Sequence, residues 1–321
     1  MRVLVTGGAG FIGSHLCERL VKEGHSVTAL DNFSTGRASN LANLKENDSF
    51  SLVEGSILDT SILNSLVNEA DYIFHLAAAV GVFNIVNHPL ASLLTNIRGT
   101  ENLLEAASST NTPVFLTSSS EVYGKNISDS LKESDDRILG SPVTLRWSYS
   151  EAKAIDESLA YAYFVEKSLE TRIVRFFNTV GPRQLGAYGM VVPRFVKSAT
   201  KNEPITVYGD GTQTRCFAHV YDVIDAVMAI AFSQNTIGKV INIGNDFEIS
   251  INDLAQKIIV ETQSKSEIVY VPYEEAYGDG FEDMERRVPN LDLILKLVGW
   301  KPMRDLSTMI ADISDEMKKS S

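Results

Sequence analysis

The opening residues restrict the fold more than any other part of the chain. A short apolar strand pattern, Arg2–Thr6, runs into Thr6-Gly7-Gly8-Ala9-Gly10-Phe11-Ile12-Gly13 and on into a helical pattern over Phe11–Lys22. Gly7 permits a tight turn, Gly10 lets the backbone approach a pyrophosphate, and Gly13 lets the helix pack closely on the strand. The N–H groups and positive dipole end of that helix then suit phosphate oxygens. A second strand pattern, Ser26–Leu30, leads to Asp31. Its carboxylate can accept hydrogen bonds from an adenosine ribose and would repel a 2′-phosphate. The loop therefore predicts a dinucleotide site, with NAD favoured over NADP.

The pattern continues as alternating strands and helices. Apolar runs at Ser51–Glu54, Tyr72–His75 and Val114–Thr117 are separated by helical stretches at Ser61–Asn68 and Pro89–Ala107. A long helix over Trp147–Leu169 precedes a strand at Thr171–Phe176. Such alternation implies βαβ units and a parallel sheet covered on both faces. After Gly181, glycine and proline become frequent, as in a loop-rich lobe, yet Val240–Ile243 reads as one more buried strand. The expected fold is α/β: a Rossmann doubly wound parallel sheet with a smaller, interleaved C-terminal substrate-binding lobe. Residues 1–180, with a returning segment at about 219–245, would form the NAD-binding domain. Residues 181–218 and 246–315 would form the lobe.

Composition narrows the partners. The 29 basic and 41 acidic residues give a net charge of −12. This disfavours nucleic acid and anionic membranes, which reward a basic face, but leaves room for a small anion held by a few arginines. No apolar stretch is long enough to span a bilayer, and the chain begins directly with a strand. The two cysteines, Cys17 and Cys216, have no metal-ligand spacing and suggest no disulfide framework. A cytoplasmic setting without a bound metal is expected.

Tyr149-Ser150-Glu151-Ala152-Lys153 places a phenol and an ammonium on one helix face. A phenol that titrates near ~10 is a poor base at neutral pH. A neighbouring ammonium and a positive nicotinamide ring would both favour the phenolate, so that it could take a hydroxyl proton. Just upstream, Leu116-Thr117-Ser118-Ser119-Ser120 ends a strand, where a hydroxyl could share the substrate hydrogen bond.

Together with His75-Leu76-Ala77-Ala78, Thr95-Asn96, Ser118–Tyr123 with Gly124, Phe176-Phe177-Asn178, Gly181-Pro182-Arg183 and Tyr208-Gly209-Asp210-Gly211 leading to Arg215, these motifs resemble the extended short-chain dehydrogenases/reductases. The likeness is to the group of nucleotide-sugar epimerases, dehydratases and decarboxylases and covers nearly the whole chain. It implies a bound, recycled NAD and a nucleotide-sugar substrate. By this resemblance Ser119, Tyr149 and Lys153 are catalytic, Asn178 and Arg215 hold the diphosphate, Arg183 joins the substrate-binding set, and Tyr208 lies along the nucleobase. The cofactor set comprises Gly7, Gly10, Phe11, Ile12, Gly13, Asp31, Asn32, Ser56, Ile57, Leu76, Ala77, Ala78, Asn96, Tyr149 and Lys153. Ser56 departs from the pattern, because the family usually has an acidic residue there; its hydroxyl could still accept from the adenine amine. His75 reads as a strand-end residue shaping the cofactor loop.

Members of this group begin by oxidising the sugar at C4 and differ in the fate of the ketone. Ser119-Ser120-Glu121 lacks the aspartate of the dTDP-glucose dehydratases. The triplet resembles UDP-glucuronate decarboxylases, and also GDP-mannose 4,6-dehydratases. Arg146-Trp147-Ser148-Tyr149 and Arg286-Arg287-Val288-Pro289 both resemble decarboxylase segments, although Val288 replaces a lysine. The expectation is a UDP-glucuronate decarboxylase forming UDP-xylose. Ser120 and Arg287 would orient the substrate carboxylate, and catalytic Glu121 would steer that carboxylate or relay the C5 proton. The alternatives are a UDP-sugar 4-epimerase, a 4,6-dehydratase and, in a different class, a non-catalytic NAD-sensing regulator, against which the Tyr149/Lys153 pair argues. A homodimer is implied through Pro89–Ala107 and Trp147–Leu169, with Tyr161, Tyr163 and Phe164 either in that interface or against the sheet.

Overall fold

The computed structural model describes residues 1–81, 87–186, 190–272, 275, 284 and 286–319. Part of the second span expected for the lobe, residues 273–274, 276–283 and 285, lies outside the described residues. In chain order the strands are β1 Arg2–Thr6, β2 Ser26–Asp31, β3 Phe50–Glu54, β4 Tyr72–His75, β5 Val114–Ser119, β6 Thr171–Phe176, β7 Thr179–Val180, β8 Ile205–Tyr208, β9 Thr214–Cys216, β10 Ala218–His219, β11 Val240–Ile243, β12 Glu248–Ser250 and β13 Ile268–Val271. The α-helices are α1 Phe11–Lys22, α2 Thr60–Glu69, α3 Pro89–Thr110, α4 Ser148–Lys167, α5 Val191–Thr200, α6 Val220–Ala231, α7 Ile251–Glu261, α8 Asp292–Val298 and α9 Leu306–Lys319.

Seven strands form one sheet in the order β11-β6-β5-β4-β1-β2-β3, and every pairing in it is parallel. The expected α/β fold is thus present, including the return of the chain at Val240–Ile243, which pairs with β6. Alternate side chains of β1 enter opposite cores, as the strand period requires. Val3 and Val5 face a core completed by Leu16 and Leu20 of α1 and by α6. Leu4 faces a second core, with Leu63 of α2, Leu103 and Leu104 of α3, and Ala160 of α4. A separate cluster joins α5, β8, α7 and α9 through residues such as Phe195, Val207, Leu254 and Ile310. Among the described residues no helix is long and apolar enough to cross a membrane.

Most boundaries fall where the sequence pattern puts them, and the shifts have local causes. Helix α3 continues past Ala107 to Thr110 because the left-handed turn that ends it is at Asn111, with φ 54°. Helix α4 begins at Ser148 because Leu145–Trp147 is a 3-10 turn, and it stops at Lys167 because Ser168 is left-handed, with φ 57°. A residue in that conformation halts the α-helical hydrogen-bond ladder. The two longest helices, α3 and α4, lie against each other. Of the three aromatic residues considered for an interface, Tyr161 is exposed, whereas Phe164 packs against Gly238 and Tyr163 against the sheet core.

The strand order reverses between β1 and β4: β2 and β3 extend one way, β5, β6 and β11 the other. At such a switch point the loops leaving the two strands diverge and open a crevice at their carboxyl ends. The glycine loop occupies one side of that crevice.

Candidate active site

A cleft of about 650 Å3 runs from the glycine loop to the cluster that joins α5, β8, α7 and α9. Its first part is shaped by glycines. Gly7 has φ +72°, and a Cβ there would come within 2.7 Å of the Ala77 nitrogen. A Cβ on Gly13 would run into the Gly7 carbonyl, and one on Gly10 would stand 3.1 Å from the same oxygen. Gly10 caps α1 without a side-chain cap, and no acidic residue occupies the first turn. The helix N-terminus is therefore left without a competing side chain where a pyrophosphate would lie. Asp31 is buried and accepts from the backbone N–H of Ala9 at 2.9 Å and of Phe33 at 2.8 Å. These bonds fix the carboxylate against the loop while leaving acceptor capacity for ribose hydroxyls. The cradle suits a dinucleotide in its sterics and its donors.

Gly7, Gly10, Phe11, Ile12, Gly13, Asp31, Asn32, Ile57, Leu76, Ala77, Ala78, Tyr149 and Lys153 all line the cleft. Ser56 and Asn96 do not. The Ser56 hydroxyl instead accepts from the Leu58 N–H at 3.1 Å, closing the turn before α2. Asn96 accepts from the Ala79 N–H at 2.7 Å and donates to its carbonyl at 3.2 Å. It thus braces the loop that carries Leu76, Ala77 and Ala78. His75 is likewise structural: burial, then Lys153, pushes its pKa down to about 3, and its ring bonds Thr6 at 2.7 Å and Thr100 at 3.3 Å.

The catalytic candidates converge where β5 ends beside the start of α4. The Ser119 hydroxyl accepts from the Glu121 N–H at 3.2 Å and bonds the Tyr149 phenol. Burial raises the pKa of that phenol, the negative charges of Glu121 and Asp156 raise it further, and Ser119 acts in the opposite direction. Lys153 does not act alone as the expected neighbouring cation. Its ammonium is buried and donates to the Thr117 carbonyl at 3.1 Å and to Asp156 Oδ2 at 3.0 Å, so a carboxylate offsets its charge.

Glu121 stands between two guanidiniums, Arg287 at 2.5 Å and Arg146 at 2.6 Å. Burial alone would raise its pKa, but Arg287 and then Arg146 outweigh burial and hold it down to about 2. Arg287 also donates to the Ser120 hydroxyl at 3.2 Å. Arg146, noted in the sequence only as part of a resemblance, is therefore a member of this cluster, and its position just before Tyr149 was the available signal. Two supporting residues carried no local signal. Glu157 receives a bidentate pair from Arg175, both bonds 2.8 Å, and accepts from Ser118 at 2.6 Å, fixing the end of β5 against α4.

Ser120, Asn178, Arg183, Tyr208, Arg215 and Arg287 also line the cleft. The Asn178 amide donates to the Cys216 carbonyl at 2.9 Å, tying the exit of β6 to β9. Arg183 reaches α1, donating to Ser14 at 3.2 Å and Glu18 at 2.7 Å. The Arg194 guanidinium stacks 4.2 Å over the Tyr208 ring. Among the described residues no group of three or more His, Cys, Asp or Glu side chains could hold a metal.

Comparison with known proteins agrees with this geometry. Residues 3–244 match the NAD dependent epimerase/dehydratase family. A UDP-N-acetyl-alpha-D-glucosaminuronate decarboxylase of Bacillus cytotoxicus is 42% identical over 302 residues, covering 94% of this chain and 92% of the relative. UDP-glucuronic acid decarboxylase 1 of Danio rerio is 35% identical, covering 94% of this chain and 69% of the relative. The crystal structure of a UDP-glucuronic acid 4-epimerase from Bacillus cereus, with UDP-glucuronic acid and NAD, superposes with a TM-score of 0.90 at 29% identity and covers 100% of both chains. With its glycine cradle, its tyrosine–lysine pair and a match over most of its length, this chain belongs to the NAD-dependent epimerase/dehydratase family of enzymes.

Proposed function

We propose that the protein is a decarboxylase of a UDP-hexuronate, with UDP-glucuronate the expected substrate and UDP-xylose the product. One observation carries this reading: Arg146 and Arg287 share the single carboxylate of Glu121 beside Tyr149. Two guanidiniums gathered beside Tyr149 and the Ser120 hydroxyl form a lining that a sugar carboxylate at C5 would suit, whereas a neutral hexose, as a glucose/galactose epimerase takes, has no group that calls for it.

Bound NAD supplies a reversible hydride acceptor at the sugar's C4. Tyr149 takes the proton of the C4 hydroxyl, with Ser119 holding the same oxygen, and Lys153 holds the nicotinamide ribose. The resulting ketone is β to the carboxylate, so the electron pair of the breaking C–C bond can pass into an enolate as CO2 leaves; a proton added at C5, with hydride returned to C4 and the Tyr149 proton returned to its oxygen, would leave UDP-xylose. Arg287 and Ser120 orient the carboxylate for that cleavage. Glu121 is held ionised by its two arginines, which favours a steering role over a proton-relay role. Asn178, Arg183 and Arg215 face the diphosphate, and Tyr208 the base.

The relative at 42% identity favours a second reading within the same chemistry, in which the sugar carries a 2-acetamido group. Incubation with UDP-glucuronate and, separately, with UDP-N-acetylglucosaminuronate, following CO2 release, tests both. UDP-galacturonate as sole product from UDP-glucuronate would show an epimerase and end the decarboxylase reading.

Three further expectations belong to this proposal. Residues 1–180 with about 219–245 bind NAD, and 181–218 with 246–315 bind the nucleotide sugar. The protein works in the cytoplasm. It forms a homodimer through α3 and α4, supported by the exposure of Leu90, Ile155, Tyr161 and Val165 along those helices. Light scattering would give the mass of one chain if the dimer is wrong.

A further inference from the structure

We propose that Asp156 is a positioning residue for the reaction: it holds the Lys153 ammonium and, as a buried negative charge on the Tyr149 face of α4, sets the pH at which Tyr149 exchanges its proton. The proposal rests on the reading of Tyr149 as the base.

Tyr149, Lys153 and Asp156 follow one another at i, i+4 and i+7, so the helix stacks phenol, ammonium and carboxylate along one stripe. Asp156 is fully buried and Lys153 nearly so. Burying an ion pair is costly, and apolar residues of similar size often serve stability as well or better. Stability alone is therefore a weak reason for a carboxylate at this position. The neighbouring Glu157 makes the contrast, because Arg175 matches it through two bonds and Ser118 through a third. Asp156 meets the lysine beside the phenol instead.

The groups that act on Asp156 come from two helices: Lys153 and Glu157 share its own, and Thr100 comes from α3. His75 of β4 bonds Thr100, and the Thr117 carbonyl of β5 holds Lys153. The Ala77 N–H donates to Thr6 at 3.3 Å, the Thr6 hydroxyl bonds His75 Nδ1 at 2.7 Å, and His75 Nε2 bonds the Thr100 hydroxyl at 3.3 Å. Thr100 neighbours Asp156, whose Oδ2 accepts from Lys153 while its buried Oδ1 makes no hydrogen bond to the described residues. A carboxylate that leaves one buried oxygen unpaired is poorly explained by stability.

The sign of its effect follows from charge. A negative group disfavours the phenolate, both directly and by offsetting Lys153. Removing it acts on Tyr149 in one direction, towards easier ionisation. In Asp156→Asn, which keeps shape and hydrogen bonding, the acidic limb of the kcat–pH profile should move down by about one unit. Asp156 does not line the cleft, so KM for the nucleotide sugar should stay within about twofold.

A measurement independent of the sugar accompanies this one. The NAD-loaded protein is titrated by its ultraviolet phenolate absorbance, and the Tyr149→Phe curve is subtracted, in wild-type and Asp156→Asn backgrounds. The Tyr149 midpoint should fall in the variant. An unchanged or raised midpoint, or an unchanged limb with only a lower kcat, overturns the proposal. If Asn does not fold, Asp156→Ser repeats the test, and a chain that folds only with a carboxylate at 156 assigns it to structure and also overturns it. Tyr149→Phe retaining turnover would instead defeat the base reading itself, a separate outcome.

Discussion

Arg287 Nη1 lies 2.5 Å from Glu121 Oε1, while the other oxygen of that carboxylate lies 2.6 Å from Arg146 Nη1. One carboxylate at the end of β5 thus joins the turn before α4 to the segment leading into α8. Glu121→Gln would leave two buried guanidiniums facing each other. Breaking buried pairs of this kind costs about 3–5 kcal/mol, and this variant should lose that much in denaturant unfolding. CO2 release should fall by about 100-fold or more. A variant as stable as the parent would refute the pairing.

The same cluster predicts a pH dependence. The Glu121 pKa in the folded protein, held down to about 2, lies below the value near ~4.3 of an unfolded chain. A depressed pKa contributes stability that is fully present above the unfolded value and is lost as pH falls through the folded one. The gap in melting temperature between wild type and Glu121→Gln should therefore be widest near neutrality and narrow between about pH 4 and about pH 2. A gap that is constant across that range would show that Glu121 is not the ionised partner.

The legible part of the site was local. Gly7, Gly10 and Gly13 act through spacing within one turn, and Tyr149 and Lys153 through a single helical step, so their roles could be read from neighbours. The parallel sheet followed for the same reason, since each βαβ unit is a local pattern of apolar runs. What escaped reading depends on contacts between distant segments or on competition for a polar atom. Arg146 meets Glu121 only because β5 ends beside α4. The backbone partners of Ser56 and Asn96, Leu58 and Ala79, were likewise not legible from the sequence. Asp156 stood three residues after Lys153 in plain view, but a charge on a helix is ordinarily solvated, and its burial follows from the packing of α4 against α3 and the sheet.

Gly13→Ala tests the cradle. The new Cβ would meet the Gly7 carbonyl, a backbone atom that cannot turn aside. Either α1 or the loop must shift, and overpacking of this sort costs about 1–3 kcal/mol. The sharper readout is NAD itself, which should raise the melting temperature of the wild type by mass action and do so much less for the variant. Equal stabilisation of the two by NAD would place the dinucleotide elsewhere.

Ser56→Ala and Asn96→Ala should separate in the same assay. Ser56 closes a turn and does not line the cleft, so its loss should change NAD affinity by less than about twofold, the effect of a fraction of a kcal/mol. Asn96 makes two bonds to Ala79, in the loop that Gly7 touches. Its removal should leave partly buried backbone groups of Ala79 unpaired, at a cost of up to about 1–3 kcal/mol, and weaken NAD binding indirectly. Titration of NAD by calorimetry would reverse this assignment if Ser56→Ala proved the weaker binder.

Tyr149→Phe removes one oxygen and little else. The ring can stay packed at the start of α4, so melting temperature and NAD affinity should remain close to those of the wild type. The phenol oxygen is where Ser119 converges and where the charges of Glu121 and Asp156 act. Its loss should lower turnover by about 100- to 10,000-fold, the range of a positioned acid or base. Ser119→Ala keeps the phenol but removes the hydroxyl that lowers its pKa. That variant should lose less activity, and its acidic limb should move to higher pH, opposite to the shift expected for Asp156→Asn. Steady-state profiles of CO2 release for the three variants would decide the matter. If Ser119→Ala moved the limb downward, the hydroxyl could not be the donor that supports Tyr149.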